Sequence, residues 1–144
     1  MVTGTVTANS YNYTNGFGAT ILNGNINSNI NNITSGSAYR LGYVNVYAGT
    51  WIINSQLSVY VLAANGSYIH ASNCLSLTDG VIDSTHGLTG AGSQAPYGVG
   101  SQTTMYYKAT STTTIYFNIA VSLVGSGTIS VITGGCFLKA MRIA

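Results

Sequence analysis

The stretch TTTIYFNIAVSL, Thr112–Leu123, decides the fold class of this 144-residue chain, because its apolar and polar residues alternate. In an extended conformation, one face carries Ile115, Phe117, Ile119, Val121 and Leu123. The opposite face carries Thr114, Tyr116, Asn118, Ala120 and Ser122. A period of two is typical of a strand that packs one face on a core. The stretch therefore predicts a half-buried β-strand.

The same alternation recurs along the chain. In QLSVYVLA, Gln56–Ala63, the residues Leu57, Val59 and Val61 share one face, and YVNVYAGTWII, Tyr43–Ile53, predicts two strands with a break or bulge at Gly49. Further strand-like runs are TTMYYKAT (103–110), GTISVIT (127–133) and GCFLKAMRIA (135–144). Turn-forming pairs such as Asn65-Gly66 and Gly134-Gly135 separate the runs. Many short strands with polar turns predict an all-β, antiparallel sandwich or barrel.

The composition excludes several classes of partner. Charged residues make up 4% of the chain, against about a quarter in a typical domain. The net charge of +2 is too small for the clustered basic face of a nucleic-acid binder, and no apolar run reaches the roughly 18 residues of a membrane helix. The N-terminus has neither a basic start nor an apolar core, so no secretory signal is expected. We therefore expect neither a nucleic-acid nor a membrane partner.

Two segments depart from the strand pattern. Residues 1–38 contain Ile residues spaced by Asn and Ser, which are poor helix formers. We expect an arm that becomes ordered on a partner surface, with a plain tail as the alternative, followed by a β-sandwich domain over 39–144. The Gly-rich segment Thr85–Gln102 is predicted to be a long loop, and such loops often bind ligands. His86 and Tyr97 are its candidate binding residues.

Few residues in the chain are suited to catalysis or metal binding. The only acids are Asp79 and Asp83, and Asp79 precedes Gly80 in a typical turn pair, so a structural turn is favoured over a metal site or an acid–base pair. Neither histidine has metal ligands at the usual spacing, and the chain has no Gly-x-Ser-x-Gly elbow. We predict a protein that is not an enzyme, with no catalytic residue, metal or cofactor.

The cysteines and tyrosines also favour structural roles. Cys74 and Cys136 lack motif spacing and are predicted to be free, buried thiols, with a disulfide as the alternative if their strands are neighbours. The 11 tyrosines are spread over most of the predicted strands. This distribution favours core edges and subunit contacts over a sugar-stacking surface.

The C-terminal three quarters of the chain, from about Tyr39 to Ala144, resembles a known family. The segments that carry the resemblance are AGTWII, the Thr-rich run into the aromatic strand TSTTTIYFNIAV, and the closing GSGTISVITGGCFLKAMRIA. Together they resemble trimeric jelly-roll domains of the C1q/TNF-like type, which are common in virion structural proteins of bacteriophages and large DNA viruses and also occur in some bacterial spore-surface filaments.

The resemblance implies a homotrimer without catalytic residues. It favours a virion structural protein on the outside of a capsid or tail: a capsid decoration (cement) protein that binds the major capsid protein, or a small tail or fibre component. The alternatives are a receptor-binding head (adhesin) for a host-surface glycan or protein, and a cellular or spore-surface protein. The low charge fits an assembly, since a charge buried at a symmetry axis is repeated in every copy.

The ending GCFLKAMRIA carries two of the four cations. In a strand, Lys139 shares a face with Phe137 and Met141, while Arg142 shares the other with Leu138 and Ala140. We therefore expect one cation at the sheet rim, and the other beside Asp79, Asp83 or a backbone carbonyl. Arg142, Tyr106 and Tyr116 are the candidate subunit-interface residues, Arg142 because its planar group suits buried hydrogen bonding.

Overall fold

The computed structural model describes residues 20–27, 29–62, 68–83, 88–94, 98–124 and 129–144. These ranges form eleven β-strands and contain no helix that could cross a membrane. The strands are β1 (Ile21–Asn23), β2 (Asn25–Ile26), β3 (Ile30–Ile33), β4 (Ala38–Val46), β5 (Gly49–Leu62), β6 (Tyr68–Ser76), β7 (Leu88–Gln94), β8 (Gly98–Ala109), β9 (Thr113–Val124), β10 (Ile129–Thr133) and β11 (Phe137–Arg142).

The long strand β5 lies at the centre of the first sheet, sheet A. One side of β5 pairs with β8 from Gly49 to Tyr60. The other side pairs first with β11 and then with β10. Strand β1 extends the sheet beyond β11, and β3 extends it beyond β10.

The second sheet, sheet B, has the strand order β2-β4-β9-β6-β7. All pairs in both sheets are antiparallel, and the chain crosses between the sheets at every step from β1 to β6 and at every step from β7 to β10. The molecule is an all-β jelly-roll sandwich, so the predicted fold class is confirmed.

The core lies between the two sheets and follows the period of two. Trp51 and Phe117 are the largest fully buried side chains. The inward face predicted for β9 is confirmed, with Ile115, Ile119 and Val121 buried beside Phe117. A hydrogen bond of 2.8 Å from Trp51 Nε1 to the Tyr47 carbonyl satisfies the polar atom of the buried indole.

The N-terminal segment contributes strands to both sheets. Strands β1 and β3 belong to sheet A, whereas β2 pairs with β4 in sheet B. Between β1 and β2, Gly24 donates its backbone N–H to the Leu138 carbonyl, and a Cβ at Gly24 would lie 2.7 Å from the Leu138 side chain. Residues 1–19 are outside the described residues, and the domain boundary at residue 38 stays a prediction.

The prediction of one long loop over Thr85–Gln102 is wrong for most of that interval. Residues Leu88–Gln94 form β7, and β8 begins at Gly98. Strand β7 pairs in register with β6 through backbone hydrogen bonds, which do not require an apolar pattern. Gly90 and Gly92 interrupt the alternation that makes other strands recognisable in the sequence.

Candidate functional site

The outer side of sheet A is a continuous surface built from side chains that alternate with the core residues. We call this surface face A. Strand β5 contributes Asn54 and Gln56 between buried Ile53, Ser55 and Leu57. Face A comprises Ile21, Asn23, Ile52, Asn54, Gln56, Ser58, Tyr60, Gln102, Thr104, Tyr106, Lys108, Ser130, Ile132, Phe137, Lys139 and Met141.

An apolar row crosses face A at one end. In the strand register, Ile21 lies opposite Met141, Met141 opposite Ile52, and Ile52 opposite Tyr106. Directly opposed side chains on one face are in contact distance, so the four side chains form one stripe across four strands. The two ends of this row are the most exposed, since Tyr106 is 73% exposed and Ile21 is 61% exposed, and exposed apolar patches of this kind often mark interaction sites.

The middle of face A is polar and concave. The next row in the register contains Asn23, Lys139, Asn54 and Thr104. The Thr104 hydroxyl donates a hydrogen bond of 2.8 Å to Asn54 Oδ1, and Lys139 Nζ lies 5.5 Å from the centroid of the Phe137 ring. A depression of about 290 Å³ lies over β5 in this region.

A buried polar cluster connects strand β8 of face A to sheet B. Asn73 on β6 is fully buried and donates a hydrogen bond of 3.0 Å to Thr103 Oγ1. Its Oδ1 accepts a hydrogen bond from the Ser101 hydroxyl. An Asn in a core must have its hydrogen bonds satisfied, so this cluster fixes the position of β8 relative to β6. The alternation of β6 did not predict this cluster, because the residues that bond to Asn73 lie about 30 positions away along the chain.

The outer side of sheet B is partly covered by the turn after β6, residues 77–83. The covering turn is held by Asn118, whose side-chain amide donates to the carbonyls of Thr78 and Val81, both at 2.8 Å. Asn118 Oδ1 also accepts from the Gly80 backbone N–H at 3.1 Å. Asn118 is consequently fully buried although it lies on the outward face of β9.

An ion pair joins the same turn to β4. Arg40 Nη1 lies 2.8 Å from Asp79 Oδ2, and its guanidinium lies 5.8 Å from the centroid of the Tyr43 ring. Asp79 therefore pairs with Arg40, and neither cation of the C-terminal strand is its partner. The predicted turn at Asp79-Gly80 is confirmed, with Gly80 at a φ of 64°.

The predicted interface residues lie in different parts of the sandwich. Tyr106 belongs to face A, whereas Tyr116 lies on the outer side of sheet B, opposite Tyr43 in the register. Arg142 lies at the end of β11 on the inward side, with its guanidinium 5.4 Å from the Tyr47 ring centroid and Nε donating to the Ala144 carbonyl at 3.2 Å. This carbonyl contact is one of the environments predicted for it. Whether Tyr106, Tyr116 or Arg142 contacts a second subunit stays a prediction.

The candidate binding residues His86 and Tyr97 lie outside the described residues. Within the described ranges, no three side chains of the His, Cys, Asp and Glu types gather closely enough to hold a metal ion.

The two cysteines are free, as predicted. Cys74 is on β6 in sheet B, whereas Cys136 precedes β11 in sheet A. Burial raises the pKa of both thiols, and hydrogen bonds from the backbone N–H groups of Asp83 and Ser58 only partly oppose this. Both thiols are therefore protonated at neutral pH and are poor nucleophiles.

Comparisons with known proteins add fold similarities at low sequence identity. No family model matches the chain, and no curated protein matches it. Among solved structures, Eiger TNF from S. frugiperda is 14% identical with a TM-score of 0.44, covering 86% of this chain and 90% of that one.

Two viral structures are similar to a comparable degree. The infectious bursal disease virus VP2 subviral particle is 15% identical with a TM-score of 0.41, covering 87% of this chain and 38% of that one. The structure of the Gx strain of that virus is 16% identical with a TM-score of 0.44, covering 87% of this chain and 36% of that one. The chain thus spans less than two fifths of either viral chain. Values this low carry no information on function, which is therefore inferred from the sequence and the surfaces of this chain.

Proposed function

We propose that the chain is a non-enzymatic structural protein of a virion, which assembles as a homotrimer through face A. We place it on the exterior of the particle, as a capsid decoration protein or a small tail or fibre component. Its second partner is then the major capsid protein or another virion protein. The virion context and the trimer are those implied by the C1q/TNF-like resemblance of the sequence.

The observation that carries the proposal is the apolar row Ile21–Met141–Ile52–Tyr106 on an open sheet face. A stripe of four apolar side chains in water is unfavourable, and burying it against a second copy removes that cost. Tyr and Met are enriched where protein surfaces meet. The outer side of sheet B differs, because the chain covers part of it with its own turn, residues 77–83.

The low charge supports the same conclusion. The chain has only four Lys and Arg and two Asp in 144 residues. Hydroxyl and amide side chains such as Thr104 and Gln56 can be buried between subunits with their hydrogen bonds satisfied. Ionised groups in the same places would have to be desolvated in every copy.

The test is the molar mass in solution by light scattering, measured over a range of protein concentrations for the wild type and for Tyr106→Glu. The wild type is expected to have three times the mass of one chain. Tyr106→Glu is expected to weaken assembly by about 2 kcal/mol per contact, about 30-fold in dissociation constant.

The matched control is Val124→Glu, which places the same charge on sheet B at a side chain that is 68% exposed, and it is expected to leave the mass unchanged. A wild type that stays monomeric at every concentration contradicts the proposed trimer. Electron cryo-microscopy of whole particles then tests the virion assignment, which fails if the protein is absent from the particle.

A further inference from the structure

The depression on face A is lined by polar side chains and by Phe137. It lies over β5 between β11 and β8, and Lys139 and Phe137 form its β11 side. Gln102 and Thr104 form its β8 side, and Asn54 lies between the two sides. An ammonium-bearing side chain, Lys139, and an amide-bearing side chain, Asn54, therefore line the same space of about 290 Å³.

The orientation of Asn54 matters for the chemistry of this space. The Thr104 hydroxyl donates to Asn54 Oδ1 at 2.8 Å, so the carbonyl oxygen of this amide is engaged with β8. The amide nitrogen, with two N–H donors, points away from that bond. Lys139, the register partner of Asn54 on β11, supplies a positive charge and up to three further donors.

The chain has no acidic side chain with which to neutralise Lys139 on this face. Its only acids are Asp79 and Asp83, and both belong to the turn that packs on sheet B. Asp79 is already paired with Arg40. Face A thus carries two lysines, Lys108 and Lys139, and no acidic side chain.

We propose that the depression binds a small oxyanion such as phosphate or sulfate, held by Lys139 and Asn54. A compact ammonium beside neutral amide N–H donors is a suitable environment for such an anion. The anion neutralises Lys139 when copies associate, so that assembly through face A becomes dependent on the anion. This coupling to assembly rests on the proposed function, because it requires face A to be buried between copies.

The experiment measures the association equilibrium by sedimentation velocity at fixed pH and fixed ionic strength, with sodium phosphate replacing sodium chloride. For the wild type, phosphate is expected to lower the dissociation constant by about tenfold, the size of one charge-assisted hydrogen bond. Lys139→Gln is expected to lose this response. Lys108→Gln removes the same charge from the same face but lies outside the depression, and it is expected to keep the response.

A response to phosphate that is equal in Lys139→Gln and the wild type would overturn the proposal, because it would come from general salt effects. A second measurement does not depend on assembly: a phosphate titration followed by NMR of the side-chain amides. Saturable shifts of the Asn54 amide that disappear in Lys139→Gln support the site, and their absence in the wild type overturns it. If the wild type is monomeric throughout, the proposed function fails, and this titration still decides whether the anion site exists.

Discussion

Asn118 is a polar residue on the outward side of a strand that is nevertheless fully buried. The alternation of Thr112–Leu123 predicts its outward direction correctly. Its burial could not be predicted, because the turn that covers it begins about 40 residues earlier in the chain. The Arg40–Asp79 ion pair could not be predicted for the same reason, because the two residues are 39 positions apart in the chain. Side-chain direction is a local property, whereas partners across the sandwich depend on the whole fold.

We expect Asn118→Ala to lower the free energy of unfolding by about 2 kcal/mol, because two carbonyls and one N–H of the covering turn lose their hydrogen bonds to the Asn118 amide. Urea denaturation followed by fluorescence measures the change. The control is Asn45→Ala, which removes one exposed hydrogen bond to Thr114 and is expected to cost less than about 0.5 kcal/mol. Equal losses in the two variants would show that Asn118 does not hold the turn.

The buried thiols predict how stability depends on pH. Since burial raises the pKa of Cys74 and Cys136, the unfolded chain loses its thiol protons at lower pH than the folded protein. The free energy of unfolding is therefore expected to fall as the pH rises above about 8.5, the usual thiol pKa.

A thiol reagent checks the same property directly. At pH 8 the folded protein is expected to react slowly with Ellman's reagent. The protein unfolded in guanidinium chloride is expected to react at both thiols within the mixing time. Replacing Cys74 and Cys136 by Ser one at a time identifies which thiol reacts. Complete reaction of the folded wild type within the mixing time would contradict the prediction.

At the scale of strands, strict alternation predicts β9, β11 and the core-facing side of β5, because each of these strands has one face on the core. Strand β7 is missed because glycine replaces its apolar residues. Strands β1 to β3 are missed as regular strands because they have only two to four residues each, too few to establish a period. Face A required the register of five strands, which no single segment contains.

Close approach of β2 to β4 leads to a prediction for Gly42. A Cβ at this position would overlap the backbone carbonyl oxygen of Asn25 and lie 2.8 Å from Ile26 Cδ1. Gly42→Ala is therefore expected to separate β2 from β4 and to cost about 1–3 kcal/mol of unfolding free energy. Gly134→Ala is the control, since no atom lies within 4 Å of its added methyl group. Equal urea midpoints for the two variants would contradict the expectation.

At the scale of the whole molecule, the structure sharpens the test of the predicted N-terminal docking arm. Deleting residues 1–38 would remove β1 and β3 from sheet A and β2 from sheet B. A loss of particle binding could then come from lost folding rather than from a lost docking segment. Deleting residues 1–19 keeps all three strands.

We expect the 1–19 deletion to retain the wild-type molar mass and melting temperature and to lose binding to particles, measured by co-sedimentation. The wild-type protein is the reference, and Tyr106→Glu shows the effect of losing assembly alone. Normal binding of the truncated protein to particles would refute the docking role.

The position of β5 between β8 and β11 has a consequence for biosynthesis. The central strand of sheet A is synthesised before the middle of the chain, but β11, which completes its pairing, spans Phe137–Arg142. Strand β1 also pairs with β11, so this pairing cannot form until β11 has been synthesised. Pairings between residues so distant in sequence form slowly, and exposed strand edges favour aggregation until they form. Sheet A can therefore close only after Phe137–Arg142 have left the ribosome, which makes this chain a candidate for chaperone protection during synthesis.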